Sequence, residues 1–165
     1  MRVLMFGWEF PPHIAGGLGT ACYGMTRGLA ENGVEVLFVM PSASGDEDQS
    51  SVRIINASDV AVDTMSETVD EFLGKVRFVH VGTNMVPYVS PEDFSSVVEE
   101  ERARQIKDFR ITYGQKYQFS GKYGTNLMEE VARYGMVGGT IALQHCDEFD
   151  VIHAHDWLTY LAGIA

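Results

Sequence analysis

The N-terminal segment up to Met40 constrains the fold most strongly, because strand-like and helix-like patterns alternate along it. Residues 2–7 form a short apolar run typical of a buried parallel strand. Residues 9–19 interrupt this run with prolines and glycines, and residues 18–30 then have helical periodicity. Residues 34–40 return as a second continuous apolar run. A strand, a loop, a helix and a strand in this order predict a βαβ unit with parallel strands.

The rest of the chain continues this alternation. Strands are predicted over residues 51–57, 76–81 and 150–155, and helices over residues 90–109 and 125–144. Residues 112–124 are predicted to form an ordered, aromatic-rich loop, and Asp156 to open a last helix as its N-cap. The pattern predicts an α/β fold, a Rossmann-like three-layer sandwich around a mostly parallel sheet. Two helix faces are expected to point inward, one through Leu18, Cys22, Met25 and Leu29, the other through Leu127, Val131, Tyr134 and Ile141 or Val137.

Charge and composition exclude several classes of function. The chain has 165 residues and a formal net charge of −11, which repels nucleic acid and anionic membranes. No apolar stretch approaches the ~20 residues that a membrane span requires. Cys22 and Cys146 lie far apart in the sequence and form no CxxC pattern, so we expect reduced thiols. We therefore expect a cytoplasmic protein with no nucleic-acid partner and no membrane span.

The segment Gly16-Gly17-Leu18-Gly19 lies between the first predicted strand and its helix. Glycine N–H groups can approach a ligand closely, and the positive end of the following helix favours a phosphate there. The segment fails as a dinucleotide fingerprint, because Cys22 stands where the third glycine is required. No Gly-Lys-Ser/Thr follows, which excludes a Walker loop. An alternative is that these glycines serve only the turn.

A second segment, His153-Ala154-His155-Asp156-Trp157, follows the last predicted strand. Alternation places His153 and His155 on one side of that strand. Ligands of open α/β sheets bind at the carboxyl ends of the strands, so this segment and the glycine segment point to one edge. Two imidazoles and a carboxylate could also bind a metal, and the histidine pair could be purely structural. Tyr123 and Asn126 could contact a sugar by stacking and hydrogen bonding, or could have packing roles.

These segments together resemble a known family. Three segments are similar to those of glycogen and starch synthases and related retaining glycosyltransferases of the GT-B fold. They are Val3–Pro12 with the following Gly16-Gly17-Leu18-Gly19, then Tyr123-Gly124-Thr125-Asn126-Leu127, and finally Asp150–Trp157. The resemblance implies two Rossmann-like domains that face each other across a cleft. It also implies that the N-terminal domain mainly supplies the acceptor side, and that the C-terminal domain binds most of the nucleotide sugar.

The resemblance also implies a role for each matched residue. It implies transfer of glucose from ADP- or UDP-glucose to an α-glucan with retention of configuration. Asp156 is the predicted catalytic residue beside the transferring glucose. No metal and no cofactor is expected, since the nucleotide sugar is a co-substrate. Substrate binding is predicted for six residues of the matched segments, namely Gly16, Gly17, Gly19, His155, Tyr123 and Asn126.

The last predicted helix reaches Ala165 after little more than two turns without a stop signal. We therefore expect residues 1–165 to be the N-terminal domain alone, truncated at its C-terminus and inactive without its nucleotide-sugar-binding domain. Bacterial synthases of this type carry Lys-Thr-Gly-Gly where this chain has Ile14-Ala15-Gly16-Gly17, a departure that favours archaeal-type synthases or the broader family. Alternatives are another GT-B glycosyltransferase, a sugar-nucleotide epimerase, and, from other classes, a flavodoxin-like binding domain or a metal-dependent hydrolase built on His153, His155 and Asp156.

Overall fold

The computed structural model describes residues 1–62, 116–124 and 126–165. The predicted strand 76–81, the predicted helix 90–109, the start of the predicted aromatic loop and Thr125 lie outside these ranges. The described part of that loop, residues 116–124, contains no helix or strand and only an isolated bridge between Ala61 and Lys116.

The described strands form one parallel sheet. They are β1 (Arg2–Phe6), β2 (Glu35–Met40), β3 (Arg53–Asn56) and β4 (Val151–Ala154). Their order is β3-β2-β1-β4, and every pairing is parallel. The predicted βαβ unit is confirmed, because β1 and β2 pair with Arg2 opposite Glu35.

Helices cover both faces of the sheet and give the predicted three layers. They are α1 (Gly17–Glu31), α2 (Leu127–Gln144) and α3 (Trp157–Ile164), and a 3₁₀ turn (Ala57–Asp59) follows β3. Successive residues of a strand point to opposite faces. Leu4 and Phe6 therefore join the apolar core with α2 and α3, and Val3 and Met5 join a second core with Cys22 of α1.

The inward face of α1 differs from the prediction at one position. Cys22 is buried, and Leu18 and Leu29 pack against the core, as expected. Met25, however, is 41% exposed, and Thr26 is fully buried in its place. The buried stripe of α1 runs through Gly19, Cys22 and Thr26, steps of three and four residues that carry Met25 to its edge. In α2 all the residues predicted to point inward are buried.

Glycines allow α2 and α3 to approach closely. A Cβ at Gly138 would lie 2.7 Å from the Cβ of Ala162, and one at Gly135 would lie 3.0 Å from the Cβ of Leu161. A Cβ at Gly163 of α3 would likewise lie 2.8 Å from the Cβ of Ala154 in β4. This contact fixes the position of α3 and of the segment between β4 and α3. Within the described ranges, no helix has the length and apolar character to cross a membrane.

Candidate functional site

The two segments that the sequence singles out follow neighbouring strands. β1 leads into the glycine segment and β4 leads into His155 and Asp156, and the two strands pair with Phe6 opposite Ala154. The His155 N–H extends this pairing by donating to the Phe6 carbonyl at 3.0 Å. The prediction that both segments lie at one edge of the sheet is therefore confirmed.

The glycine loop, which we define as residues 14–19, is built around a buried carboxylate that was not predicted. Glu9 is only 4% exposed. It accepts hydrogen bonds from the N–H groups of Ala15 (2.8 Å) and Gly19 (3.0 Å). The first-turn N–H groups of a helix have no partner within the helix, and a carboxylate there is favoured by the helix dipole. Nothing in the sequence signals this role, because an acidic residue at this position could equally face water.

The glycines of this loop have different surroundings. Gly16 is the N-cap of α1 in an extended conformation and makes no side-chain cap bond. At Gly19 an added Cβ would overlap Ile14 Cγ2 and lie 3.1 Å from Glu9 Cγ, so packing alone requires a glycine. A Cβ at Gly17 would meet nothing within 4 Å. Among the described residues the N–H groups of Gly17 and Leu18 have no acceptor, and they remain available to a ligand.

His153 and His155 lie on the same side of the strand, as predicted. Their rings stack with centroids 4.3 Å apart and planes at 18°. His155 is 8% exposed. Burial, followed by the charge of His153, lowers the pKa of His155 below its ordinary value of 6.5, so this imidazole is neutral at pH 7. A neutral ring can either donate to or accept from a substrate hydroxyl.

Two buried ring nitrogens at this edge have no hydrogen-bond partner among the described residues. They are Nε2 of His155 and Nε1 of Trp8, which is 1% exposed. Buried polar atoms are almost always paired in folded proteins, and an orphan commonly marks a missing ligand or water. Trp8 also contacts Tyr134 edge to face at 5.7 Å. The single proton of the Tyr134 hydroxyl is shared between the carbonyls of Val39 (2.8 Å) and Gly7 (3.1 Å). Tyr134 thus ties α2 to the carboxyl ends of β1 and β2.

Asp156 has a strained backbone. Its φ of 64° and ψ of 164° form a combination that residues other than glycine rarely adopt, and it is the one non-glycine residue with positive φ in the described ranges. Its exposed side chain accepts a hydrogen bond from the Trp157 N–H at 2.6 Å. The predicted N-cap of the last helix is therefore confirmed. Strain of this kind persists where the surrounding structure fixes the backbone, and it clusters at functional sites.

Asn126 and Tyr123 are held by interactions with other parts of the fold. Asn126 is the N-cap residue of α2, makes no side-chain cap bond, and donates through Nδ2 to Glu130 Oε1 at 2.9 Å. Glu130 is 3% exposed and also accepts from the Ser120 and Gly121 N–H groups. Half-buried Tyr123 packs against the core. In the described ranges no hydrogen bond joins Asn126 to the glycine loop or to His155.

The described residues contain no cluster of three or more His, Cys, Asp or Glu side chains placed to hold a metal ion. His153, His155 and Asp156 are adjacent in the sequence but do not form such a cluster. The described residues at this edge instead provide backbone N–H groups without an acceptor, the His155 imidazole and the strained Asp156.

Comparison with known proteins identifies the family. The family model described as starch synthase catalytic domain matches residues 2–165. An uncharacterized glycosyltransferase of Methanocaldococcus jannaschii is 50% identical over 36 residues, which cover 22% of this chain and 9% of that protein. A glycogen synthase of Mycobacterium tuberculosis is 36% identical over 67 residues, 35% of this chain and 16% of that protein.

The matched regions therefore span less than a fifth of the length of these relatives. No solved structure matches the chain significantly. The family model, by contrast, covers nearly every residue of the chain. The chain belongs to the starch synthase catalytic domain family of glycosyltransferases.

Proposed function

We propose that this chain forms the acceptor-side domain of an enzyme that transfers glucose from ADP- or UDP-glucose to an α-glucan with retention. The observation that carries the proposal is the juxtaposition of the glycine loop and Asp156 at one edge of the sheet, on the paired strands β1 and β4. The Gly17 and Leu18 N–H groups, unpaired among the described residues, are the groups proposed to meet the donor phosphates.

The chemistry of transfer explains why such N–H groups are useful. As the glycosidic bond to the nucleotide breaks, negative charge develops on the leaving phosphate and the sugar becomes oxocarbenium-like. Preorganised N–H groups at the positive end of α1 stabilise that developing charge without having to reorient. We place Asp156 beside the transferring glucose and neutral His155 at its hydroxyls. Gly16 and Gly19 shape the loop, and Tyr123 and Asn126 are assigned to the acceptor side. No metal and no cofactor is part of this proposal.

We further propose that a nucleotide-sugar-binding domain covers this edge in the complete protein. Exposed apolar side chains next to Asp156 support this arrangement. Trp157, Tyr160 and Ile164 recur on one side of α3 and are 43%, 52% and 64% exposed. The isolated chain is then expected to bind a maltooligosaccharide weakly and to turn over no donor. Cys22 and Cys146 are free thiols, in keeping with the proposed cytoplasmic location.

A methyl group at Gly17 tests the proposal. Gly17→Ala places a Cβ in open space where the phosphate would lie, and Gly24→Ala is a matched control in α1 with equally open surroundings. Transfer from ADP- or UDP-glucose to maltooligosaccharide is measured in the complete protein, with the anomeric configuration of the product read by NMR. Gly17→Ala should lower kcat/KM for the donor by on the order of 100-fold, because its methyl group would keep the phosphate away from the N–H groups as effectively as if a preorganised hydrogen bond were removed. Gly24→Ala should leave kcat/KM unchanged.

Two results would contradict the proposal. One is a wild-type protein that transfers no sugar from any nucleotide sugar to any glycan. The other is a Gly17→Ala variant as active as Gly24→Ala.

A further inference from the structure

We infer that Glu9 is a positioning residue, which holds the glycine loop so that its central N–H groups stay free for the donor. The inference rests on the proposed function and adds to it a residue that does not itself contact substrate. Glu9 is nine-tenths buried, and both of its carboxylate oxygens accept N–H groups of the loop.

The two hydrogen bonds bracket the part of the loop that is proposed to bind. Ala15 lies just before Gly16, and Gly19 lies just after Leu18, so the carboxylate holds the loop at both ends. Between these anchors, the N–H groups of Gly17 and Leu18 have no acceptor among the described residues. Gly19 lies against both Ile14 and Glu9, since an added Cβ would lie 2.3 Å from Ile14 Cγ2 and 3.1 Å from Glu9 Cγ. The loop is therefore wrapped around the carboxylate, and moving the carboxylate would move the loop.

The charge of Glu9 makes the inference sharply testable. In the described part of the chain no lysine or arginine pairs with Glu9; the loop N–H groups alone satisfy it. A negative charge at this place would by simple electrostatics oppose a phosphate on Gly17. Removing the charge should therefore strengthen donor binding if Glu9 acts only through its field. If Glu9 acts by positioning, the same change should weaken donor binding. The sign of the effect separates the two roles.

Glu9→Gln is the informative substitution, because it keeps the size of the side chain. One end of the glutamine carries an NH₂ donor, which must face either the Ala15 or the Gly19 N–H, so one anchor is lost. Glu47 supplies a matched control. It is 7% exposed and accepts from the N–H groups of Ser44 (2.7 Å) and Gly45 (2.9 Å) in a different loop. Glu47→Gln therefore loses the same kind of anchor outside the glycine loop.

The experiment compares wild type, Glu9→Gln and Glu47→Gln in the complete protein. We expect Glu9→Gln to raise the donor KM by on the order of 10- to 100-fold, with the acceptor KM unchanged, because misplacement of about 1 Å has effects of this size. Glu47→Gln should change neither KM, although both variants should lose similar thermal stability. Amide exchange by NMR gives a readout apart from activity. The Ala15 and Gly19 N–H groups should both be protected in wild type, and one of the two should lose its protection in Glu9→Gln. The Gly17 N–H should exchange quickly in both proteins.

A donor KM that falls or stays unchanged in Glu9→Gln would overturn the inference, and so would a Gly19 N–H that is unprotected in wild type. An equal rise of donor KM in Glu47→Gln would also overturn it, since the effect would then be general. A wild-type protein without transferase activity would refute the proposed function instead, while the exchange measurement would still decide whether Glu9 holds the loop.

Discussion

Replacing Asp156 by glycine should stabilise the protein while it reduces transfer. The backbone of Asp156, with φ 64° and ψ 164°, lies in a region that suits glycine. Strain of this kind amounts to roughly 1–3 kcal/mol. Glycine removes the strain, loses only about a few tenths of a kcal/mol as an N-cap, and adds about 0.4–1 kcal/mol of unfolded-state entropy. The net change for Asp156→Gly is therefore between about zero and about 2 kcal/mol of stabilisation.

Alanine at the same position should have the opposite effect. Asp156→Ala keeps the strain and loses the hydrogen bond to the Trp157 N–H, which is worth roughly 0.5–2 kcal/mol for an N-cap. Asp156→Gly should therefore be more stable than Asp156→Ala by about 0.5–4 kcal/mol. Both variants should lose transferase activity, because both lack the carboxylate. Asp156→Asn keeps the shape of the side chain but removes its negative charge, so this variant shows whether activity depends on the charge or on the shape.

Equilibrium urea unfolding of the three variants, followed by tryptophan fluorescence, measures the stability order, and donor kcat/KM measures function. The urea concentration at the midpoint of unfolding should be higher for Asp156→Gly than for Asp156→Ala, and the dependence of the unfolding free energy on urea should be the same for both. An Asp156→Ala variant as stable as Asp156→Gly would refute the argument from strain. A fully active Asp156→Gly variant would refute the catalytic assignment instead.

Three further predictions concern packing, protonation and thiol reactivity. Gly138→Ala should destabilise the fold by about 1–3 kcal/mol in urea unfolding, because its Cβ would press on Ala162. Gly28→Ala lies in open space on α1 and should stabilise the fold by about 0.5–1 kcal/mol. Burial lowers the pKa of His155, so its imidazole binds a proton more readily in the unfolded chain than in the folded one. The free energy of unfolding should therefore fall as the pH drops below about 6.5, and it should fall less in His155→Asn. Burial raises the pKa of Cys22 to about 12, so a thiol reagent at pH 8 should label exposed Cys146 but not Cys22, as peptide mass spectrometry would show.

The sequence predicts the fold well where a periodic apolar pattern coincides with a buried face. Each described strand and helix lies within about two residues of its prediction, a usual margin for element ends. The error at Met25 arises because apolar character alone does not reveal which way a helix is rotated. Thr26, the residue buried instead, satisfies its hydroxyl on the Tyr23 carbonyl of its own helix.

The sequence predicts where the candidate site lies but not the buried hydrogen bonds that hold it in place. Parallel topology brings the ends of β1 and β4 together, so the motifs that follow them had to meet. The buried carboxylates of Glu9, Glu47 and Glu130 were not predicted, because each binds N–H groups whose placement depends on the folded loop. An acidic residue in a sequence does not indicate whether it faces water or such a loop.

These buried carboxylates also change the meaning of the net charge of −11. Part of the negative charge lies inside the protein, where Glu9 occupies the positive end of α1. Arg2 and Arg53 begin β1 and β3, at the opposite edge of the sheet, where they pair with Asp150 and Glu148. At ~3.3 Å per residue, the four steps from Arg2 to Phe6 place Arg2 about 13 Å from the carboxyl end of β1. Those arginines are too far away to neutralise a phosphate at Gly17. Backbone dipoles alone offset only part of a phosphate's charge. We therefore expect the remaining positive charge to come from residues beyond these strands, as the proposed two-domain arrangement requires.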